Sequence, residues 1–151
     1  MNIVEKIKSK LIAIDPPVFR IVAGAAEFAS IQNVPKALPA AYVMTLHDAS
    51  SDNERMTGPV LQQTSVDIGI VIVTGNLSDA RGDASSFDIE ALKKAVRDHL
   101  VGYVPDPAGD GMPLIHVSGE LLKAWGGSIW WQEVLGASSS IEEQAAATAQ
   151  P

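Results

Sequence analysis

The sequence predicts an α+β fold: a mostly antiparallel or mixed β-sheet of about four to five strands, flanked by two to three helices. Three observations carry that expectation. Residues 3–14 and 89–100 repeat apolar side chains at the spacing of a helix face. Residues 40–48 and 61–74 alternate with the period of a strand. Residues 114–135 read as a hairpin around Trp125-Gly126-Gly127.

The elements follow in order. Ile3, Ile7, Leu11 and Ile14 share one face, with Val4 widening it and Lys6, Lys8 and Lys10 off it, so the spacing predicts a helix over 2–14. Asp15-Pro16-Pro17 stops that helix. Val18, Phe19, Ile21 and Val22 predict a short strand within 18–23, and the Ala-rich 24–32 with Phe28 and Ile31 a short helix. Two prolines make 33–39 a loop. In the strand 40–48, Tyr42, Met44 and Leu46 share a face. In the strand 61–74, Val66, Ile68, Ile70 and Ile72 share a face. The other face opens polar with Gln63, Ser65 and Asp67 and turns apolar at Val71 and Val73. The first half is therefore expected to be wet on one side and the second half buried on both. The polar loop 49–60 between these strands is longer than a hairpin needs, which marks it as a partner-contacting arm or a disordered tip.

A second polar loop, 75–86, leads to a helix with Ile89, Leu92, Val96 and Leu100 as its stripe. Ser85 and Ser86 are its expected caps, and Asp88 and Glu90 suit its first-turn dipole. Tyr103 packs past its end, and a Pro/Gly-rich turn follows. In the last hairpin, a two-residue Gly-Gly turn would set Glu120 opposite Glu133, an unfavourable like-charge pair. A three-residue loop with Gly127 left-handed sets Leu121 opposite Trp131 and Val117 opposite Leu135, and is the preferred register. Residues 1–136 are expected to form one domain. Residues 137–151, with Ile141 their one large apolar side chain, are expected to form a flexible Ala/Ser/Glu-rich tail.

Composition narrows the function. At 151 residues the chain can bury roughly 68–70% of its unfolded surface, so it needs no disulfide or metal staple. It has no cysteine, which excludes thiolate zinc sites and cysteine nucleophiles. A net charge of −7 disfavours a phosphate backbone as partner, and Lys6, Lys8 and Lys10 are the one basic run to set against that. No apolar run approaches the ~18 residues of a membrane span, so no membrane partner is expected.

Motifs that carry chemistry are missing. His47, His99 and His116 have no ligand spacing, and Asp106-Pro-Ala-Gly-Asp110 lacks the pattern of a calcium loop. No phosphate-binding glycine loop or nucleophile elbow occurs. Glu120 and Glu133 resemble a carboxylate pair only in composition, and both are expected to face water on the outside of the last hairpin. No catalytic, cofactor-binding or metal-ligating residue is assigned, and the chain is not expected to be an enzyme. What stands out is Trp125, Trp130 and Trp131 within seven residues. Trp130 and Trp131 must point to opposite faces of their strand, so one needs a second apolar cover, from a helix or from a neighbouring subunit.

Taken in order, several stretches resemble the tail-terminator proteins of long-tailed bacteriophages, in the Mu-like prophage subgroup. They are the amphipathic N-terminal helix, Val22-Ala-Gly-Ala-Ala-Glu-Phe28, Leu38-Pro-Ala-Ala-Tyr-Val43, Ile70-Val-Ile-Val-Thr-Gly-Asn76 running on through Asp79-Ala-Arg-Gly82, and Gly127-Ser-Ile-Trp-Trp-Gln-Glu133. The similarity covers about 2–136; Val134-Leu135 stands where the family often has an aromatic residue. The resemblance implies a structural virion protein without a cofactor, located at the head-proximal end of the tail and assembled in the host bacterial cytoplasm. Its partners would be itself, as a homo-hexameric ring, the tail tube protein and the head–tail connector. DNA would pass through the lumen without specific binding. On this reading the interface residues are Asp52, Glu54 and Arg55 of the 49–60 loop, facing the lumen or the tube, and Trp125, Trp130 and Trp131. Two other readings stay open: a head–tail connector or other neck protein, and a small α+β ligand-binding module or enzyme with a pocket between the sheet and the 87–101 helix.

Overall fold

The computed structural model describes residues 2–75, 88–109 and 111–144. The elements run α1 (Ile3–Ile12), β1 (Ile21–Ala23), α2 (Ala25–Ala29), β2 (Ala40–Ser50), β3 (Leu61–Gly75), α3 (Ile89–Leu100), β4 (Ile115–Trp125) and β5 (Ser128–Glu142). The strands form one mixed sheet in the order β1-β2-β3-β5-β4. Only β1–β2 is parallel; every other neighbour pair is antiparallel. This is an α+β fold of five strands and three helices among the described residues.

Two cores lie on the two faces of the sheet. On one, α1 and α3 press Ile7, Leu11, Leu92, Val96 and Leu100 against Val43, Ile68, Ile70, Ile72 and Leu135. On the other, Phe28 of α2 packs on Ala40, Tyr42, Val71, Val73 and Trp130. The phenyl ring of Phe28 lies 5.5 Å from Tyr42 and 6.1 Å, edge-on, from Trp130. The split read in β3 is present. Residues 68–74 are buried, while 61–67 are exposed or half-buried except Thr64, whose hydroxyl meets Ser50 Oγ at 2.8 Å. The apolar change at Val71 and Val73 is what lets α2 settle on that end alone.

Boundaries differ from expectation in four places, each for a local reason. The α1 helix starts at Ile3 because Asn2 caps it, its Oδ1 accepting from the Glu5 N–H. The cap of α3 is Asp88, whose carboxylate accepts from the Glu90 N–H; Ser85 and Ser86, with the rest of 76–87, lie outside the described residues. The strand β2 runs to Ser50, so the connection to β3 is 51–60. The strand β5 runs on to Glu142 past the expected domain end at 136, with 137–142 laddered to 61–66 of β3. A strand held by its backbone ladder needs no large side chains, and Ser138, Ser139 and Ser140 supply none. Residues 145–151 of the expected tail lie outside the described residues.

The last hairpin corrects the preferred register. Trp125 pairs Ser128, so the turn is the two-residue Gly126-Gly127, with φ of 59° and 77°. Both values are left-handed, as a type I′ turn demands. The like-charge pair that this turn threatened is avoided by a β-bulge between Leu121 and Lys123. The bulge sets Leu121 opposite Trp131 after all, with Glu120 opposite Gln132. A second bulge between His116 and Ser118 then places His116, not Val117, opposite Leu135. Gly127→Ala should cost about 1 kcal/mol, the usual penalty for a Cβ in the left-handed region. Gly126→Asn should be neutral, since Asn-Gly suits the same turn. Denaturant midpoints of the two variants check both outcomes.

Candidate assembly surfaces

Three places bear on contact and chemistry: a buried carboxylate in β5, the three tryptophans, and an extension formed by the ends of β2, β3 and β5.

Glu133 is fully buried, not on the outside of the hairpin, because β5 lies inside the sheet and α3 covers that face. Its Oε2 accepts from Arg97 Nε at 2.8 Å and meets His116 Nε2 at 3.0 Å. Its Oε1 accepts from Arg97 Nη2 at 2.9 Å and Trp131 Nε1 at 2.6 Å. Arg97 thus grips both oxygens as a fork, and three elements meet on one carboxylate. Gly119, opposite Glu133 in β4, makes the room: a Cβ there would stand 2.6 Å from Glu133 Oε1 and 2.9 Å from Trp131. Burial pushes the Glu133 carboxyl up, but the bonds from Arg97 and Trp131 and the charges of Arg97 and His116 outweigh it and hold it below the ordinary carboxylate value. The same pairing raises Arg97. Glu120, by contrast, is exposed, so the two carboxylates do not form a pair. Four hydrogen bonds from Arg97, His116 and Trp131 hold the carboxylate, so the arrangement ties α3 and β4 to β5 and fixes register.

The tryptophans part company. Trp130 is 5% exposed beneath Phe28, with Nε1 donating to Ser128 Oγ at 2.9 Å and Lys123 Nζ 4.2 Å over the ring. Trp131 is half-buried on the opposite face with Lys93 Nζ 3.8 Å over it. Each strand tryptophan is thus covered within the protomer, Trp130 almost wholly. Only Trp125, 60% exposed, presents a broad free surface.

From Thr45 onward every residue of β2 is exposed, as are residues 139–142 of β5. These ends and the first half of β3 form a three-stranded arm. Its tip, 51–60, is tied down rather than loose. Asn53 Oδ1 accepts from the Arg55 and Leu61 N–H groups, and Arg55 donates to the Pro59 carbonyl and pairs with Glu142 at 3.0 Å. Met56 stands wholly exposed at its end. Asp52, Glu54 and Arg55 therefore come together in one place, far along the sheet from Trp125, which lies at the turn of the last hairpin. Residues 45–67 and 137–144 carry six carboxylates, Asp48, Asp52, Glu54, Asp67, Glu142 and Glu143, against Arg55 alone. The other described residues carry nine acidic and nine basic side chains, so among the described residues the charge imbalance sits in the arm. The arm's charge was legible in the sequence; that three separate segments share it was not.

The lysine run of α1 is occupied internally. Lys6 donates to the Pro105 carbonyl, Lys8 pairs with Glu5, and Lys10 lies 4.9 Å over the Tyr103 ring. Among the described residues no group of His, Asp and Glu is placed to hold a metal, and no helix is long and apolar enough to cross a membrane. A half-open cleft of about 670 Å³ lies between β1 and the 31–36 segment, lined by Ile21, Ile31, Val34, Lys36 and Tyr42. It is not the pocket expected between the sheet and α3, where Leu92, Val96 and Leu100 fill the space.

Replacing Glu133 with Gln removes one member of a buried pair whose other member is part-exposed, and should cost about 2–3 kcal/mol. Because the folded carboxyl lies below its ordinary 4.5, its stabilisation is complete above that value and is lost as pH falls through the lowered one. Melting temperature should therefore drop for the wild type below about pH 4.5, with a shallower drop in E133Q. Parallel acid slopes in the two proteins would refute the role given to this carboxylate.

The comparisons with known proteins agree with this architecture. No curated protein matches the chain. Among solved structures, a chain of the virion of a native gene transfer agent particle shares the fold, with a TM-score of 0.56 and 21% identity over 94% of this chain and 95% of that one. The family model described as phage tail terminator protein matches residues 4–144, nearly the whole length. The chain belongs to the phage tail terminator family, a family of structural tail proteins.

Proposed function

We propose that this protein is the tail terminator of a phage or phage-like particle. Copies assemble as a hexameric ring on the head-proximal end of the tail tube, stop its polymerisation and offer the docking surface for the head connector. The observation that carries the proposal is the family match over 4–144. The geometry supports it in kind. A ring needs different surfaces on the two sides of each copy. This protomer has unlike sides: an acidic arm at one end of the sheet and a bare apolar edge strand on one flank. The acidic arm suits a wall past which DNA slides, because like charge lowers its affinity for phosphate. The proposed partners are sister copies, the tube protein and the connector, with no cofactor.

The arm tip, with Asp52, Glu54, Arg55 and Met56, is the proposed contact with the tube or the lumen. Replacing 52–59 by an Asn-Gly turn should leave the melting temperature within a few degrees, since the tip's bonds, the Arg55–Glu142 pair included, are exposed. Particles made with that variant should carry tails without heads. Particles lacking the protein altogether should carry tubes of unregulated length. Electron micrographs check both, and tails of uniform length joined to heads in its absence would refute the assignment.

A further inference from the structure

The strand β4 is the least protected part of the molecule. All eleven of its residues are exposed, and Ile115, Val117, Leu121, Leu122 and Trp125 stand between 42% and 60% exposed. It is also an edge of the sheet, its outer backbone without a ladder partner among the described residues. Proteins guard such edges with charge or proline. Here the charges are only Glu120 and Lys123, the lysine lying over the Trp130 ring, and proline is absent from the strand. Two bulges twist the edge but leave its apolar side chains outside. A surface of this kind is built to be covered.

The opposite flank offers a match. The short β1 pairs β2 only at 40–42, so the outer edge of β2 from 44 to 50 has no ladder partner among the described residues. Strand directions decide how the two edges can meet. Counting across the sheet, β4 runs opposite to β2. Repeating the sheet by rotation about an axis along its strands therefore brings β4 of one copy against β2 of the next in antiparallel sense, the more stable pairing. Charge limits the alternatives. Contact between two arms would set six carboxylates against six, whereas β4 carries one Glu and one Lys, Glu120 and Lys123.

We propose that the outer edge of β2, residues 44–50, of one copy pairs antiparallel with β4 of its neighbour, so that the sheet continues from copy to copy. Leu46, 40% exposed on β2, meets the apolar side chains of β4. Each copy uses both edges once, which is the condition for a closed ring. The occupant of β4 is thus a second copy of this chain. The inference rests on the ring reading above but specifies the contact that the reading leaves open.

The chain's lack of cysteine makes the test clean. Glu120→Cys is combined in turn with His47→Cys, Asp48→Cys and Ala49→Cys, to span the possible registers, and each full-length variant is oxidised both pure and in isolated tails. One double variant should give a ladder of covalent multimers ending at the mass of the closed ring, and no single variant should link. Val117→Lys with Leu121→Lys should abolish the multimer seen by light scattering with a melting temperature within a few degrees, because both side chains are half exposed already. A covalent dimer from Glu120→Cys alone would show two β4 edges facing each other and overturn the proposal. Rings that none of the three pairs links, or that the two lysines leave intact, would overturn the edge contact while leaving the ring reading standing. A protein that stays monomeric and is absent from tails would overturn both.

Discussion

A carboxylate taken out of water must have its lone pairs filled, and in this protein that requirement organises the fold. Glu133 satisfies it with partners from three elements, Arg97 of α3, His116 of β4 and Trp131 of its own strand. None of these can shift by one position without stranding the charge. The bulge of β4 between Leu121 and Lys123 follows from the same demand. Without it the Gly-Gly turn would carry Glu120 to the place opposite Glu133, where Gly119 now leaves the room that the carboxylate and the indole occupy. The side chain therefore locks α3 to the sheet and sets the register of the edge strand.

Much of this fold could be read from periodicity. The stripe Ile3, Ile7, Leu11 and Ile14 located α1, and the change of Asp67 to Val71 on one face of β3 foretold where the second core begins. What escaped depended on partners distant in the chain. Glu133 looked like a surface residue because alternation in a hairpin cannot say which strand becomes interior. The run 137–142 looked unstructured because a ladder held by backbone bonds leaves no apolar signature. The tryptophan cluster was legible, but which side chains cover each ring within the protomer was not. Phe28 and Lys93 lie over Trp130 and Trp131 from within the protomer, and Trp125 keeps the most exposure of the three.

The distribution of charge and apolar surface separates the molecule into a body and an arm. Helices cover the body on both faces, and its acids and bases balance among the described residues. The arm has neither cover nor balance, yet its tip is held by Asn53 and the Arg55–Glu142 pair. An exposed ion pair adds little to stability. Its position at the junction of the 51–60 tip with the end of β5 gives the tip one shape instead of many.

The bulges have a further consequence. Each extra residue bends its strand and adds right-handed twist, and they fall on β2 beside Leu46 and twice on β4, the two outer flanks of the long strands. Flat plates arranged in a circle must concentrate all their angular change at the seams. In the proposed ring, a plate already curled along its margins would carry part of the circumference in its own backbone, so that joints between neighbours would keep ordinary hydrogen-bond geometry.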